Sequence, residues 1–220
     1  MFRSFAPFLL ACALSAALAP SASADDDISK VNGSIRVEDG RTAGDLDSVN
    51  GSVRVGDRSH AKDISTVNGS VDVGNDCTID SASTVNGRIS IGARTRVARE
   101  VGTVNGSMNF DEGSEVGGDV YNVNGDIRLR AAHLSQGLRT VNGDMNIGAD
   151  SRIDGGILVE KSNSWFNFGT STPPRVVIGP RVVVKGSLVF EREVELFVSD
   201  TATVGEIKGA TPVRFSGENP

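Results

Sequence analysis

The sequence is poor in the residues from which most catalytic, nucleic-acid-binding and membrane-spanning proteins are built. It contains 2 Cys, 2 His, 1 Trp and 1 Tyr among 220 residues, and its formal net charge is −6. Proteins bind nucleic acid through clustered Lys and Arg, and the sequence has no such cluster. Beyond residue 24, no apolar run approaches the ~18 residues that span a bilayer. We therefore expect neither a nucleic-acid partner nor a transmembrane segment.

The residues that commonly carry catalysis are few and scattered. His60 and His133 are far apart and have neither Cys nor paired carboxylates at the spacing of zinc ligands. The G-x-S-x-G motif of a nucleophile elbow is absent from the sequence. Cys77 is the only cysteine after residue 24, so it is expected to be a small semi-buried residue, with an intermolecular disulfide as the alternative. We predict that the protein is not an enzyme and uses no cofactor.

The N-terminal 24 residues predict an export signal. Arg3 supplies a positive charge, FAPFLLACALSAALA is the apolar region, and Ala22-Ser23-Ala24 is a site for signal peptidase. Cleavage after Ala24 would place the mature chain in the periplasm, on the outer surface or outside the cell. A lipoprotein anchored at Cys12 is the alternative, but LLAC would leave a very short apolar region before the cysteine.

The mature sequence is dominated by a repeat. The triplet Val-Asn-Gly (VNG) occurs seven times between residues 31 and 143, at intervals of 18 or 19 residues. Small aliphatic residues recur every six positions, as at Val31, Val37 and Ala43, and Val31, Gly33, Ile35 and Val37 are expected to share an inward-facing parity. Three sides of six residues predict an all-β fold: a single-stranded, three-sided parallel β-helix (β-solenoid), right-handed, with 18–19 residues per coil.

The VNG triplet is expected to turn one corner of each coil. Asn and Gly tolerate the left-handed or bent backbone that a corner requires. Stacked coils lie about 4.8 Å apart, a spacing at which asparagine side chains can hydrogen-bond along the stack. The predicted asparagine ladder consists of Asn32, Asn50, Asn68, Asn86, Asn105, Asn124 and Asn142.

Two further sets of aligned residues suggest alternative functions. Asp45, Asp63, Glu100 and Asp119 form an acidic file that could hold Ca²⁺ between coils, although solvated corner residues are the favoured interpretation. Thr66, Thr84, Thr103 and Thr140 align just before VNG, and a flat threonine array is what an ice-binding surface needs. Charged residues are expected on the same face, so an ordinary charged surface is favoured.

The repeat is interrupted once and then returns. Residues 25–160 are predicted to form the VNG solenoid, and residues 161–175 an aromatic and proline-rich loop. Trp165, Phe166 and Phe168 in this loop are a candidate binding patch, with packing against the solenoid as the favoured alternative. Residues 176–211 are predicted to form about two further coils. Residues 212–220 are expected to be a tail that stops strand addition.

Two stretches resemble known families. The VNG repeats in residues 28–160, typified by STVNGS, resemble bacterial β-strand repeat proteins described as adhesins. The stretch VVIGPRVVVKGSLVFEREVELFVSDTATVGEIKGA, residues 176–210, is similar to bactofilins, which are polymer-forming cytoskeletal β-solenoids. Neither resemblance brings catalytic residues. Together they imply an exported structural or interaction protein of the cell envelope, whose partner is a protein, a polysaccharide or further copies of itself. An envelope scaffold that polymerises end to end is the alternative, and a polysaccharide-binding or ice-binding module is a third.

Overall fold

The computed structural model describes residues 26–161 and 173–220. Within these ranges the chain forms short β-strands and turns and contains no helix. All strand pairs are parallel, and successive coils stack on one another. The predicted β-solenoid is confirmed.

Each complete coil places strands on three faces, which meet at three corners. The VNG face is formed by β1 (Ile28–Asn32), β3 (Leu46–Asn50), the second half of β5 (His60–Asn68), the second half of β7 (Thr78–Asn86), β10 (Val101–Asn105), β13 (Val120–Asn124), β16 (Leu138–Thr140), β19 (Ile157–Val159), β22 (Leu188–Phe190) and β25 (Ile207–Lys208).

The second face follows the VNG corner in every coil. It is formed by β2 (Ile35–Val37), β4 (Val53–Val55), β6 (Val71–Val73), β8 (Ile89–Ile91), β11 (Met108–Phe110), β14 (Ile127–Leu129), β17 (Met145–Ile147), β20 (Arg175–Ile178), β23 (Glu195–Ser199) and β26 (Val213–Phe215). The third face is formed by the first halves of β5 and β7, then β9 (Arg96–Val97), β12 (Glu115–Val116), β15 (His133–Leu134), β18 (Arg152–Ile153), β21 (Val183–Val184) and β24 (Thr203–Val204).

The register of the sheets reproduces the sequence repeat. Asn50 pairs with Asn68 one coil on, and Val101 pairs with Val120 where the interval is 19 residues. Equivalent side chains therefore stack in columns along the solenoid. The inward columns are mainly small aliphatic residues, and Phe110 is the largest fully buried side chain. Such columns give one continuous core, as expected of a repeat protein whose coils contact only their neighbours.

The inward-facing parity differs from the prediction at the VNG corner. Leu46 and Ser48 are buried before the corner, whereas Val53 and Val55 are buried after it. The intervening corner residues leave the extended strand, so the alternation restarts on the other parity. The prediction that Val31 and the other VNG valines point inward is therefore wrong: Val31 is 57% exposed and Val104 is 39% exposed.

The VNG glycines are required mainly by close packing between coils. A Cβ on Gly69 would lie 2.2 Å from the Gly51 carbonyl oxygen, and a Cβ on Gly87 would lie 1.9 Å from that of Gly69. Positive φ angles occur at Gly33, Gly125 and Gly143, but not at Gly69 or Gly87. The prediction of a left-handed backbone at this corner is thus correct for part of the repeats only.

The corner between the second and third faces also has a left-handed backbone, and there it includes residues other than glycine. The non-glycine residues with positive φ are Arg58, Asp76, Arg94, Ala131, Asp150 and Arg181. Equivalent positions in other coils are taken by Gly40 and Gly113. This corner turns sharply in one residue, and hydrogen bonds to neighbouring coils hold it, such as Arg58 N–H to the Asn75 carbonyl at 2.8 Å.

Both ends of the described solenoid carry a cation where the core would continue. Lys30 in β1 is in register with buried Ser48, and Arg214 in β26 is in register with buried Val198. The predicted tail, residues 212–220, thus contributes one further strand, β26, to the second face. Inward-register charges on the edge strands, Arg214 of this tail among them, blunt the stack, since a further coil would bury them.

Candidate interaction surfaces

The asparagine ladder runs along the corner between the VNG face and the second face. Asn50 Nδ2 donates to Asn32 Oδ1 at 3.1 Å, and the same bond recurs at 2.9–3.0 Å between successive asparagines as far as Asn142. Every amide donates towards the N-terminal end of the solenoid. The Arg192 guanidinium donates to Asn142 Oδ1 at the other end and continues the pattern with a charged donor.

The ladder fixes the orientation of each amide and leaves hydrogen-bonding capacity at the surface. A primary amide has two N–H groups and two oxygen lone pairs, of which the ladder bonds use one each. Asn50, Asn68, Asn86, Asn105 and Asn124 are exposed. They therefore present oriented donors and acceptors about 4.8 Å apart along one corner.

A stripe of valines lies beside this ladder on the outside of the VNG face. The valine stripe consists of Val31, Val49, Val67, Val85, Val104, Val123 and Val141. Val31 and Val104 are exposed, and the other five are half-buried. The neighbouring outward column contains Ser65, Ser83 and Gly102 at its centre, where the ring of Tyr121 covers Gly102, and its charged members Asp47 and Arg139 lie towards the ends. The central part of this face is thus uncharged, and the valine stripe is its apolar column.

The threonines before VNG lie inside the solenoid. Thr66 and Thr140 are 1% and 0% exposed, and Thr84 and Thr103 are also buried. Thr66 Oγ1 donates to the Gly51 carbonyl at 2.9 Å, and Thr84 Oγ1 donates to that of Gly69 at 3.0 Å. These bonds tie the strand to the preceding VNG corner. The prediction that the threonines form part of the surface is wrong, and an ice-binding array at these positions is excluded.

The acidic file lies at the corner where the third face meets the VNG face, and its three aspartates contact other groups of the protein. Asp45 Oδ1 accepts the backbone N–H of Asp63 at 3.3 Å, and Asp119 Oδ1 accepts that of Gly137 at 3.2 Å. Asp63 accepts from Ser81 Oγ at 2.6 Å and forms an ion pair with Arg99. Ser81 also separates Asp63 from Glu100 in the stack. Among the described residues, no group of three or more Asp, Glu, His or Cys side chains could hold a metal ion.

The two histidines lie in one outward column of the third face, four coils apart, which corresponds to about 19 Å at the usual strand spacing. His133 Nε2 is 3.1 Å from Asp154 Oδ2, and Arg152 Nε and Lys185 Nζ lie 2.8 and 3.0 Å from Asp154 Oδ1. Hydrogen bonding to His133 and Lys185 lowers the pKa of Asp154 to about 2. This cluster is a surface ion-pair network.

Cys77 belongs to a buried polar column at the left-handed corner. It is 2% exposed, and its Sγ donates to the Gly56 carbonyl at 3.0 Å. Ser59 and Thr95 occupy the same column and donate to the carbonyls of Glu38 and Gly74. Burial raises the pKa of the Cys77 thiol. The residue is more deeply buried than predicted, and an intermolecular disulfide at this position is excluded in the folded protein.

A shallow polar groove of about 260 Å³ lies on the second face, beside the C-terminal residues. Its polar lining includes Asp126, Arg128, Asp144 and Asn146. Arg128 pairs with Asp126 at 2.8 Å, and Asp144 Oδ1 accepts the backbone N–H of Arg175 at 2.8 Å. The sequence interpretation missed this groove. The sequence feature that marks the groove is the aspartate that follows VNG in the last two repeats, where most earlier repeats have serine.

The candidate patch of Trp165, Phe166 and Phe168 lies outside the described residues. The signal peptide and Cys12 lie outside them as well.

In comparisons with known proteins, no protein-family profile, curated protein or solved structure matches the chain. Within residues 26–161 and 173–220, there is no helix long and apolar enough to cross a membrane.

Proposed function

We propose that this chain is an exported, non-enzymatic rod that acts as an adhesin-like interaction protein of the cell envelope. The observation that supports the proposal is which groups the repeated polar residues contact. Asparagines, threonines and acidic residues bind one another or the backbone of the next coil, so their role is to hold the stack in register. Such a stack is a stiff support that presents the same side chains many times along its length.

Two polar surfaces of the solenoid support a role in binding. The exposed asparagine ladder and the groove around Arg128 and Asn146 offer hydrogen-bond donors and acceptors. Repeated weak contacts along a rod add up to strong binding when the ligand is itself repetitive. A polysaccharide or a repetitive surface protein of the envelope has this character.

The second candidate is a scaffold that polymerises end to end. It is favoured by the strands at both ends of the described solenoid, because β1, β2, β24, β25 and β26 each pair with one neighbouring strand only. It is opposed by Lys30 and Arg214, which an added coil would bury without a partner of opposite charge. We therefore favour short rods over filaments.

Two measurements test the proposal. Cell fractionation should recover the protein outside the cytoplasm, and recovery in the cytoplasm would refute export. Electron microscopy of the purified protein should show short rods of uniform length, whereas filaments would establish the scaffold.

Binding to isolated envelope polysaccharide and envelope protein should be measured with the same preparation. Replacing Arg128 and Asn146 by alanine should weaken binding if the groove takes part. The matched control replaces Thr78 and Arg96, which lie on the third face, by alanine. Failure to bind either class of ligand would contradict an interaction role.

A further inference from the structure

We propose that two copies of this chain pair side by side through their VNG faces, with the valine stripes packed against each other. The stripe is a run of seven outward valines on a flat parallel sheet, and its most exposed members, Val31 and Val104, are 57% and 39% exposed. Outward columns on the other two faces carry charged or polar residues over the same coils, such as Arg54 and Asp72 on the second face and Arg96 and Glu115 on the third. The valine stripe is therefore the apolar exception among these outward columns, although the column beside it carries Asp47 and Arg139 towards its ends.

A second copy is the partner that fits the spacing of this stripe. The valines repeat once per coil, about 4.8 Å apart, over seven coils. Another solenoid of the same coil spacing stays in register over the whole length, so that every valine meets the corresponding coil of the partner. An extended peptide repeats every 6.6–6.8 Å along one side and falls out of step within a few residues.

Side-chain size sets the orientation of the pair. The column beside the valines contains Ser65 and Ser83 at its centre, whereas the Tyr121 ring covers the next member, Gly102. A two-fold axis along the rod would place the valine column of one copy opposite this column of the other. In the central coils valines then oppose serines, and large residues opposite small ones interdigitate without voids.

The same axis also avoids repulsion between like charges. The acidic file lies at one edge of the VNG face and the asparagine ladder lies at the other. Rotation about the rod axis brings the acidic edge of one copy to the ladder edge of its partner. Carboxylates then face amides, whereas rotation about the strand direction would set the acidic file of one copy against that of the other.

The area of the face predicts a weak association. Seven coils span about 29 Å, and a strand of five residues is about 16 Å wide, so each copy would bury about 450 Å². The total of about 900 Å² lies at the low end of specific interfaces, where association is weak or transient. We expect a reversible dimer with a Kd in the micromolar range or above.

The inference stands independently of the proposed function. Lateral pairing doubles the cross-section of the rod at constant length, whereas end-to-end polymerisation lengthens it at constant cross-section. Small-angle X-ray scattering separates these cases through the cross-sectional radius of gyration.

Sedimentation velocity of the purified protein, from about 1 μM to about 500 μM, tests the pairing. The double variant Val67→Lys/Val85→Lys places two charges in the stripe and should raise the Kd at least tenfold. The milder Val67→Ser/Val85→Ser variant should weaken the dimer while keeping the fold, as checked by its thermal transition. The matched control Thr78→Lys/Ser90→Lys, on the other two faces, should dimerise as the parent does.

Three results would overturn the proposal. They are a parent protein that stays monomeric at the highest concentration, a dimer that persists in both valine variants, and a dimer that the control variant also loses. Scattering that shows lengthening at constant cross-section would replace lateral pairing by end-to-end assembly.

Discussion

Replacing Gly87 by alanine tests the contact between stacked VNG corners. The new Cβ would lie 1.9 Å from the carbonyl oxygen of Gly69 and 2.6 Å from its carbonyl carbon, well inside van der Waals contact. Both atoms belong to the backbone, so relief requires the two coils to separate locally. Separation would lengthen two hydrogen bonds. One joins Gly69 N–H to the Asn86 carbonyl oxygen at 3.1 Å, and the other joins the side chains of Asn86 and Asn68 at 3.0 Å.

The size of the effect follows from these two terms. Overpacking of a well-packed site costs about 1–3 kcal/mol. Loss of one or two hydrogen bonds adds about 0.5–1.5 kcal/mol each, so the free energy of unfolding should fall by about 1.5–6 kcal/mol. For a protein of this size, that corresponds to a fall in Tm of about 3–24 °C. Gly87 does not have a positive φ, so backbone strain of the alanine does not contribute.

Thermal unfolding followed by circular dichroism measures the effect. The matched control is Gly137→Ala, where the Cβ would find its nearest neighbour, the Gly156 carbonyl oxygen, at 3.3 Å. The control should melt close to the parent. Equal Tm values for Gly87→Ala and Gly137→Ala would refute the argument that VNG glycines are required by the approach of neighbouring coils.

Further substitutions test other parts of the structure. Asn86→Asp removes the donor of one ladder bond and sets a carboxylate against a neighbouring amide oxygen, so urea denaturation should show a loss of about 1–2 kcal/mol; unchanged stability would argue against the ladder. Hydrogen bonding to His133 and Lys185 holds the pKa of Asp154 near 2, below its usual 3.8, so its stabilising contribution is present above about pH 4 and is lost as pH falls towards 2. In calorimetry from pH 5 to pH 2, Asp154→Asn should therefore differ from the parent most at pH 5, and a constant difference would contradict this. Cys77→Ser should change Tm little, because serine can donate the same bond as Ser59 does, and the parent thiol should react with a thiol reagent only after unfolding. Arg214→Leu removes the cation at the C-terminal end of the core and should cause rods to lengthen in electron micrographs, whereas unchanged rods would show that Arg214 does not limit stacking.

The fold was predictable because the interval between repeats shows which residues pair in neighbouring coils. Once Asn50 and Asn68 are recognised as equivalent, the intervening residues must complete one coil, and the aliphatic positions define its sides. Columns such as Val55, Val73 and Ile91 lie inside as the six-residue period predicts. The stacking of asparagines at one corner depends on the same spacing.

The side-chain direction at the corners was less predictable. A period of six does not show where a strand ends, so it predicts Val67 in the core although Thr66 is the buried residue. Threonine can be buried there because its hydroxyl donates to the Gly51 carbonyl, a bond that depends on the position of the preceding coil. The composition of the sequence does not show that a backbone carbonyl of the preceding coil lies within hydrogen-bonding distance. The same holds for Arg58 and Asp76, whose left-handed backbone is held by neighbouring coils.

Distances between pairs of spin labels along the second face test the stacking most directly. Spin labels would be attached in pairs at Arg36 and Asp72, Arg36 and Asn109, and Arg36 and Asn146, which lie in one outward column of the solenoid. Pulsed dipolar spectroscopy should give label separations that grow linearly, by about 4.8 Å for each coil between the labelled positions. Separations that do not increase with the number of intervening coils would contradict the stacked solenoid and every surface derived from it.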